Sequence, residues 1–495
     1  MSGATDRMTT TLPDSARPPI DDPRLNFVED AEQFAREHRD DAPFRYLKSF
    51  TGCGEDELAQ LMAKIYCDSR PERPGREENL TASFIKLVLH PLNFLLTKRV
   101  LWRKQSMVDF DFEAIDQNHF EFWFRRIYER LPGSKRMSPS HGPSPAGWPE
   151  VEHLTSTIAP SILLKLFAAP MWALSLWRLS RRSGQNILAA YRRALSLYAV
   201  FDGHFRRYPC RHFVTSSDEQ NHPSRYLAFK QSCRGRLVVL QNGERLYHPA
   251  FAFGMVDDYL AFGSYTEKLC RALKVRAARV EPVGALNLDR HFKRLEELRR
   301  SQEPVRYDIL LIDQGLWPLS DLGEKIGTSF ETVFRNLTAL VEKHPELRAA
   351  FQLRPYGANT EVRDHVVGRA RALFSPAIEI LSNEGRGESY ESIARSRLVL
   401  CFNSTIGYEA FFVGRGKKTL FVNCAGDPCQ ILSLDPRFQL YDETASYANF
   451  ERAVLAALAL ELDVPPEVAR ERHIPPDGKI DQRIADFLFA LSPCS

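Results

Sequence analysis

Residues 398–414 (Leu-Val-Leu-Cys-Phe-Asn-Ser-Thr-Ile-Gly-Tyr-Glu-Ala-Phe-Phe-Val-Gly) do most to limit what this chain can fold into. A short apolar run leads directly into a helical pattern, with Asn403, Ser404 and Thr405 at the junction. This reads as a buried strand feeding a helix at the carboxyl end of a parallel sheet. The first N–H groups of a helix lack intrahelical acceptors and carry partial positive charge. A phosphate placed there gains hydrogen bonds and a favourable dipole. Gly407 lets a ligand or a neighbouring strand approach closely, and Glu409, one turn on, is placed to reach sugar hydroxyls. The simpler alternative is an ordinary capped helix in an α/β domain.

The surrounding pattern favours two such domains. Strand-like runs at 213–217, 236–243, 258–263 and 279–284 alternate with helical ones. After a charged helical stretch at 285–305, a second series begins at 308–313. It continues through strands at 350–355, 378–381, 397–403 and 419–423. Short apolar strands alternating with helices predict an α/β fold of two Rossmann-like βα domains facing a cleft. The expected divisions are a disordered tail over 1–24, a first domain over 25–290, a second over 306–465 and a tail or helix over 466–495. The first domain includes a helical N-terminal region and a Pro/Gly/Ser-rich linker at 132–150, and its βα sheet is expected from about 200 to 285.

At 495 residues, 44% hydrophobic and 26% charged, the chain has material for two full cores. A formal charge of +3 does not suit a protein that coats nucleic acid. Nine scattered cysteines with no CxxC pair point to reduced thiols and a cytoplasmic setting. No run is expected to span a bilayer. Two segments, 83–104 and 161–182, are apolar and end in bases, so they read either as core helices or as docking elements at the inner membrane face.

Three motifs in order resemble the GT-B glycosyltransferases, in particular bacterial transferases that build capsule and lipopolysaccharide. Asn403-Ser404-Thr405-x-Gly407-x-Glu409-Ala410 resembles the family's Ser-Thr-x-Gly-x-Glu-Ala segment. Leu353-Arg354-Pro355 stands where related enzymes have Lys-x-His-Pro, and Gln241-Asn242-Gly243 where many have Gln-His-Gly. Arg354 and Asn242 thus each replace a family histidine. The resemblance covers about 210–460 and implies transfer of a sugar from a nucleotide-activated donor to a glycan or lipid-linked acceptor.

On that reading the donor side comprises Arg354, Pro355, Tyr356, Asn403, Ser404, Thr405, Gly407 and Glu409, with Gln314 and Gly315 at the end of the domain's first strand. The acceptor side comprises Gln241, Asn242, Gly243 and His248. Asparagine cannot serve as a base, so that role passes to Glu219, then Glu244, with Asp218 beside them. The Asp109/Asp111 pair reads as a solvated loop, and neither a metal nor another cofactor is expected. A CMP-linked donor is one candidate, with UDP and GDP sugars open. The alternatives are a CDP-glycerol-type polyol-phosphate transferase and a non-catalytic relative that binds glycan.

Overall fold

The computed structural model describes residues 25–70, 79–100, 104–115, 117–140, 157–218, 221–245, 247–301, 304–313, 323–356, 360–385, 387–402, 404–413, 417–424, 433–442, 444, 446–462 and 464–491. Two parallel six-stranded sheets organise them. The first contains β1 (Val108–Ala114), β2 (Lys135–Pro139), β3 (Cys210–Thr215), β4 (Arg236–Leu240), β5 (Met255–Ala261) and β6 (Arg276–Pro282). The second contains β7 (Tyr307–Ile312), β8 (Ala349–Gln352), β9 (Ile378–Leu381), β10 (Ser396–Cys401), β11 (Lys418–Asn423) and β12 (Gln439–Tyr441). The α/β architecture expected from the sequence is present, as two separate sheets.

Strand order locates the functional edge of each sheet. The first runs β2-β1-β3-β4-β5-β6 and the second β9-β8-β7-β10-β11-β12. The direction of winding reverses between β1 and β3 in one, and between β7 and β10 in the other. At such a reversal the flanking connections leave to opposite faces and open a crevice beyond the strand carboxyl ends.

The first sheet draws on more of the chain than 200–285. β1 and β2 come from the stretch read as helix and linker. Phe110, Phe112, Phe120 and Phe124 are core. Asp109 and Asp111 lie in β1 rather than in a solvated loop. Asp111 is fully buried and bonded to Arg136 and Ser138, while Asp109 accepts from Ser134. The alternation signal at 108–114 is masked because both faces of this inner strand are covered. Helices from Asn26–His38 to His90–Thr97, and from Pro160–Leu166 to Ile187–Arg207, pack over one face of the first sheet, and Gln117–Trp123 and Arg125–Arg130 lie on the other. All the described cysteines are free thiols.

The C-terminal segment is part of the first domain's core. Helix Ile480–Leu491 places Ile480, Ile484 and Leu488 among Phe110, Phe112 and Val238 on the sheet's other face. The strap leading to it is pinned twice. Ile474 N–H donates to Phe262 O at 2.9 Å. Asp289 accepts from the backbone of Asp477, Gly478 and Ile480 at 2.9, 2.7 and 3.0 Å. The 285–305 stretch forms helices Leu286–Arg290 and Phe292–Ser301, whose Leu288 and Leu295 pack beneath the second sheet.

The expectation that no run can span a bilayer needs correction. Among the described residues, Pro160–Ser183 is long and apolar enough, since its break is only a tight 3-10 turn at Ala169–Trp172. A third of its most apolar window is buried in the protein.

Truncating Leu488 to Ala should cost about 2–5 kcal/mol, because its side chain is fully buried in the first domain. Phe489→Ala, at a site 59% exposed, should change stability by less than about 0.5 kcal/mol. Chemical denaturation of the two variants checks this; equal losses would mean that the helix does not dock as described.

Candidate active site between the two sheets

The motif helix is Ile406–Val413, directly after β10 at the second sheet's reversal. Thr405 stands at its amino end. The Thr405 hydroxyl oxygen accepts the backbone N–H of Glu244 from the first domain at 2.8 Å. A Cβ on Gly243 would lie 3.3 Å from that hydroxyl, so the missing side chain permits the approach. The loop after β4 and the helix after β10 therefore meet directly. Asn403 lies outside the described residues, as do Gln314, Gly315 and Glu219.

Several residues assigned to ligand from the sequence serve the protein instead. Gly407 accommodates β11, since a Cβ there would lie 2.6 Å from Phe421 Cζ. This is the neighbouring-strand role rather than a ligand approach. Glu409 is buried. Its carboxylate accepts from Tyr390 Oη at 2.9 Å.

Glu244 is likewise tied up. Its carboxylate oxygens meet Arg472 Nη1 at 3.1 Å and His473 Nε2 at 3.2 Å, both from the C-terminal strap. The Arg472 guanidinium lies 3.3 Å from the Tyr265 ring centroid, which completes its burial. A Cβ on Gly263 would collide with the carbonyl oxygens of Glu471 and Arg472, so only glycine lets the strap lie this close. Asp218 is fully buried, held by Arg245 on both oxygens and by Tyr259 Oη at 2.7 Å. A carboxylate with its lone pairs taken by fixed donors is poorly placed to accept a substrate proton. Neither Glu244 nor Asp218 is a ready base.

The acceptor-side motif is mostly scaffolding. Gln241 accepts from Phe262 N and Thr266 Oγ1 and donates to Gly243 O, which sets the loop. Asn242 is exposed, and its Oδ1 accepts from Arg245. His248 sits in a turn where its Nδ1 accepts from Ala250 N at 3.1 Å.

Arg354, Pro355 and Tyr356 follow β8 at the carboxyl edge of the second sheet. Asp313, at the end of β7, shapes their turn by accepting Arg354 N–H at 3.2 Å and Tyr356 Oη at 2.6 Å. The Arg354 side chain is exposed and makes no ion pair among the described residues. β8 lies two strands from β10, so at about 4.8 Å per strand the two turns stand roughly 10 Å apart.

The sequence reading missed His119. It lies on helix Gln117–Trp123, directly after β1, and is half-buried. Its Nε2 lies 3.2 Å from Ser216 Oγ, just beyond β3. This pair bridges the reversal of the first sheet, as Thr405 and Asp313 flank that of the second. Reading β1 as part of a helix hid the signal.

No protein-family model and no curated protein matches the chain. Among solved structures it is similar to UDP-GlcNAc 2-epimerase of Methanocaldococcus jannaschii in complex with UDP-GlcNAc and UDP. That match is 11% identical, covers 78% of this chain and all of the other, and has a TM-score of 0.43. It is also similar to the wall teichoic acid polymerase TagF, at 10% identity, 88% and 98% coverage and a TM-score of 0.39. A third similar structure is a mutant form of the O-GlcNAc transferase of Thermobaculum terrenum, at 11% identity, 94% coverage of each chain and a TM-score of 0.30.

The two buried acids titrate in opposite senses. Burial raises the Glu409 carboxyl above the usual range, and the Glu244 charge adds to this; His473 and Tyr390 only partly offset it. Burial also pushes Glu244 upward, but His473 and Arg472 together hold it below its ordinary value. The raised Glu409 contributes stability at low pH that is lost as pH rises through its folded pKa. The depressed Glu244 contributes stability at neutral pH that is lost as pH falls through its folded pKa. Glu409→Gln should therefore melt higher than wild type at alkaline pH, with a gain that shrinks on acidification. Glu244→Ala should cost about 3–5 kcal/mol at neutral pH and less in acid. Melting curves across pH decide both; a Glu409→Gln gain that grows in acid would contradict the assignment.

Proposed function

We propose that this chain is a metal-independent glycosyltransferase that takes a sugar from a nucleotide-activated donor, with CMP-linked sugars among the candidates, and passes it to a surface polysaccharide or lipid-linked acceptor. The observation that carries this reading is the meeting of the second sheet's reversal with the loop after β4 of the first, through Thr405 and the Glu244 amide. It gives the second domain a helix start for phosphate and the first domain a nearby edge for an acceptor.

The donor phosphates lie at Ser404 and Thr405, and the exposed Arg354 guanidinium moves onto them. Negative charge grows on the leaving nucleotide as the glycosidic bond breaks. Fixed donors aimed there favour the transition state over the ground state. His119 takes the acceptor hydroxyl proton as the oxygen attacks the anomeric carbon. Ser216 orients its ring, and no carboxylate is needed.

Arg354→Ala should lower turnover about 100- to 1000-fold with little change in melting temperature. Arg354→Lys should recover only part, because an ammonium cannot make the paired contact. His119→Ala should lower turnover at least about 100-fold while leaving nucleotide affinity near wild type. Single-turnover rates across CMP, UDP and GDP sugars, with CDP-glycerol alongside, check these expectations. Wild-type rates in both Ala variants would remove the assignment. Binding of donor with no turnover in the wild-type protein would favour a glycan-binding role instead, the reading to which the committed carboxylates of Glu244 and Asp218 lend support.

A further inference from the structure

Large apolar side chains are exposed in one region of the N-terminal helices far more than elsewhere. Ile85, Val88, Leu89, Leu92, Leu95 and Leu96 are exposed on helices Leu80–Val88 and His90–Thr97. Leu164, Phe167, Met171 and Leu174 are exposed along Pro160–Ser183. These elements pack against one another, so the ten side chains belong to one surface. Several project almost fully: Leu96 is 85% exposed, Leu164 74% and Met171 71%.

The opposite sides of the same helices are firmly in the core. Leu87, Phe94, Ile162, Leu166, Ala169 and Leu176 are buried there. The first helix pair bends by 58° at the break between Val88 and His90. Helices packed along one side and broken in this way lie on a surface rather than cross a bilayer. An exposed apolar patch of this kind marks a place of interaction.

Charge selects the partner. Residues 80–104 and 157–201 contain no Asp or Glu, in a chain that has 63 of them. Among the described residues, the exposed bases on these segments are Lys86, Lys104, Lys165, Arg178, Arg181, Arg182 and Arg193. Trp172 and Trp177 are half-buried at the margin, and the Arg181 guanidinium lies 4.9 Å from the Trp177 ring centroid. An apolar centre edged by bases and indoles, with no acid, fits the headgroup region of an anionic bilayer. A second copy of the same all-basic face would meet like charge.

We propose that this face seats the protein on an anionic lipid bilayer, with Leu96, Leu164 and Met171 entering the acyl boundary and the bases resting among the phosphates. Lipid binding needs no donor, so it stands or falls separately from the transferase reading.

The test is co-sedimentation of the full chain with vesicles of phosphatidylethanolamine and phosphatidylglycerol, against phosphatidylcholine vesicles. The protein should pellet with the anionic vesicles, less so in high salt, and stay in solution with phosphatidylcholine. Combined Leu96→Asp, Leu164→Asp and Met171→Asp should lower partition about tenfold or more, as should Arg178→Glu with Arg181→Glu and Arg182→Glu. Circular dichroism and melting should be unchanged, since all six sites are exposed. Should the aspartates disturb folding, the corresponding Gln variant carries the same expectation. The proposal is overturned if wild type stays in solution with anionic vesicles, or if folded variants pellet as wild type does. It is equally overturned if light scattering finds a wild-type dimer that the Asp variant dissolves.

Discussion

The bond from the Glu244 amide to the Thr405 hydroxyl ties the first domain's loop after β4 to the start of the motif helix. It works because both ends are already rigid. Gln241 and the Arg245–Asp218 pair set the loop after β4, and β10 and β11 fix the start of the motif helix. The C-terminal strap closes the arrangement from behind, with Arg472 and His473 meeting the Glu244 carboxylate. The chain thus leaves the second domain to rejoin the first, and on the way it supplies positive charge to a buried acid.

This clasp decides which groups remain for chemistry. Two carboxylates, Glu244 and Glu409, are buried close to one strap, which tolerates them because Arg472, His473 and Tyr390 bond to them. Carboxyls so committed are poorly placed to move protons for a substrate. The groups left near the facing edges are of another kind: a helix start, an exposed guanidinium at Arg354 and the His119 imidazole. On the proposed reading they serve phosphate binding and proton transfer.

Much of this was legible in the sequence where a short, continuous apolar run lay between turn residues. Strands β3 to β11 and the start of the motif helix followed from short runs bounded by turn residues. β1 and β2 did not, because an inner strand with Phe at alternate positions and Asp111 paired inside has no solvent face to announce it. The motif residues were found, but their roles were only partly readable. Gly407 and Glu409 lie in the same short segment as Ser404 and Thr405, and only the fold tells that Phe421 fills the space beside one and Tyr390 bonds the other. The strap was hidden for a similar reason: its partners, Glu244, Phe262 and Asp289, are some 190 to 230 residues away in sequence.

The central claim is that a nucleotide lies at the second sheet's reversal, where the motif helix meets the loop after β4. Hydrogen exchange of the full chain with and without CMP, CDP, UDP and GDP tests it most directly. At least one nucleotide should slow exchange at residues 404–408 and 353–356 together, with a smaller effect at 241–245. If none of them protects residues 404–408, or if protection falls on other segments alone, the site lies elsewhere and the account is wrong.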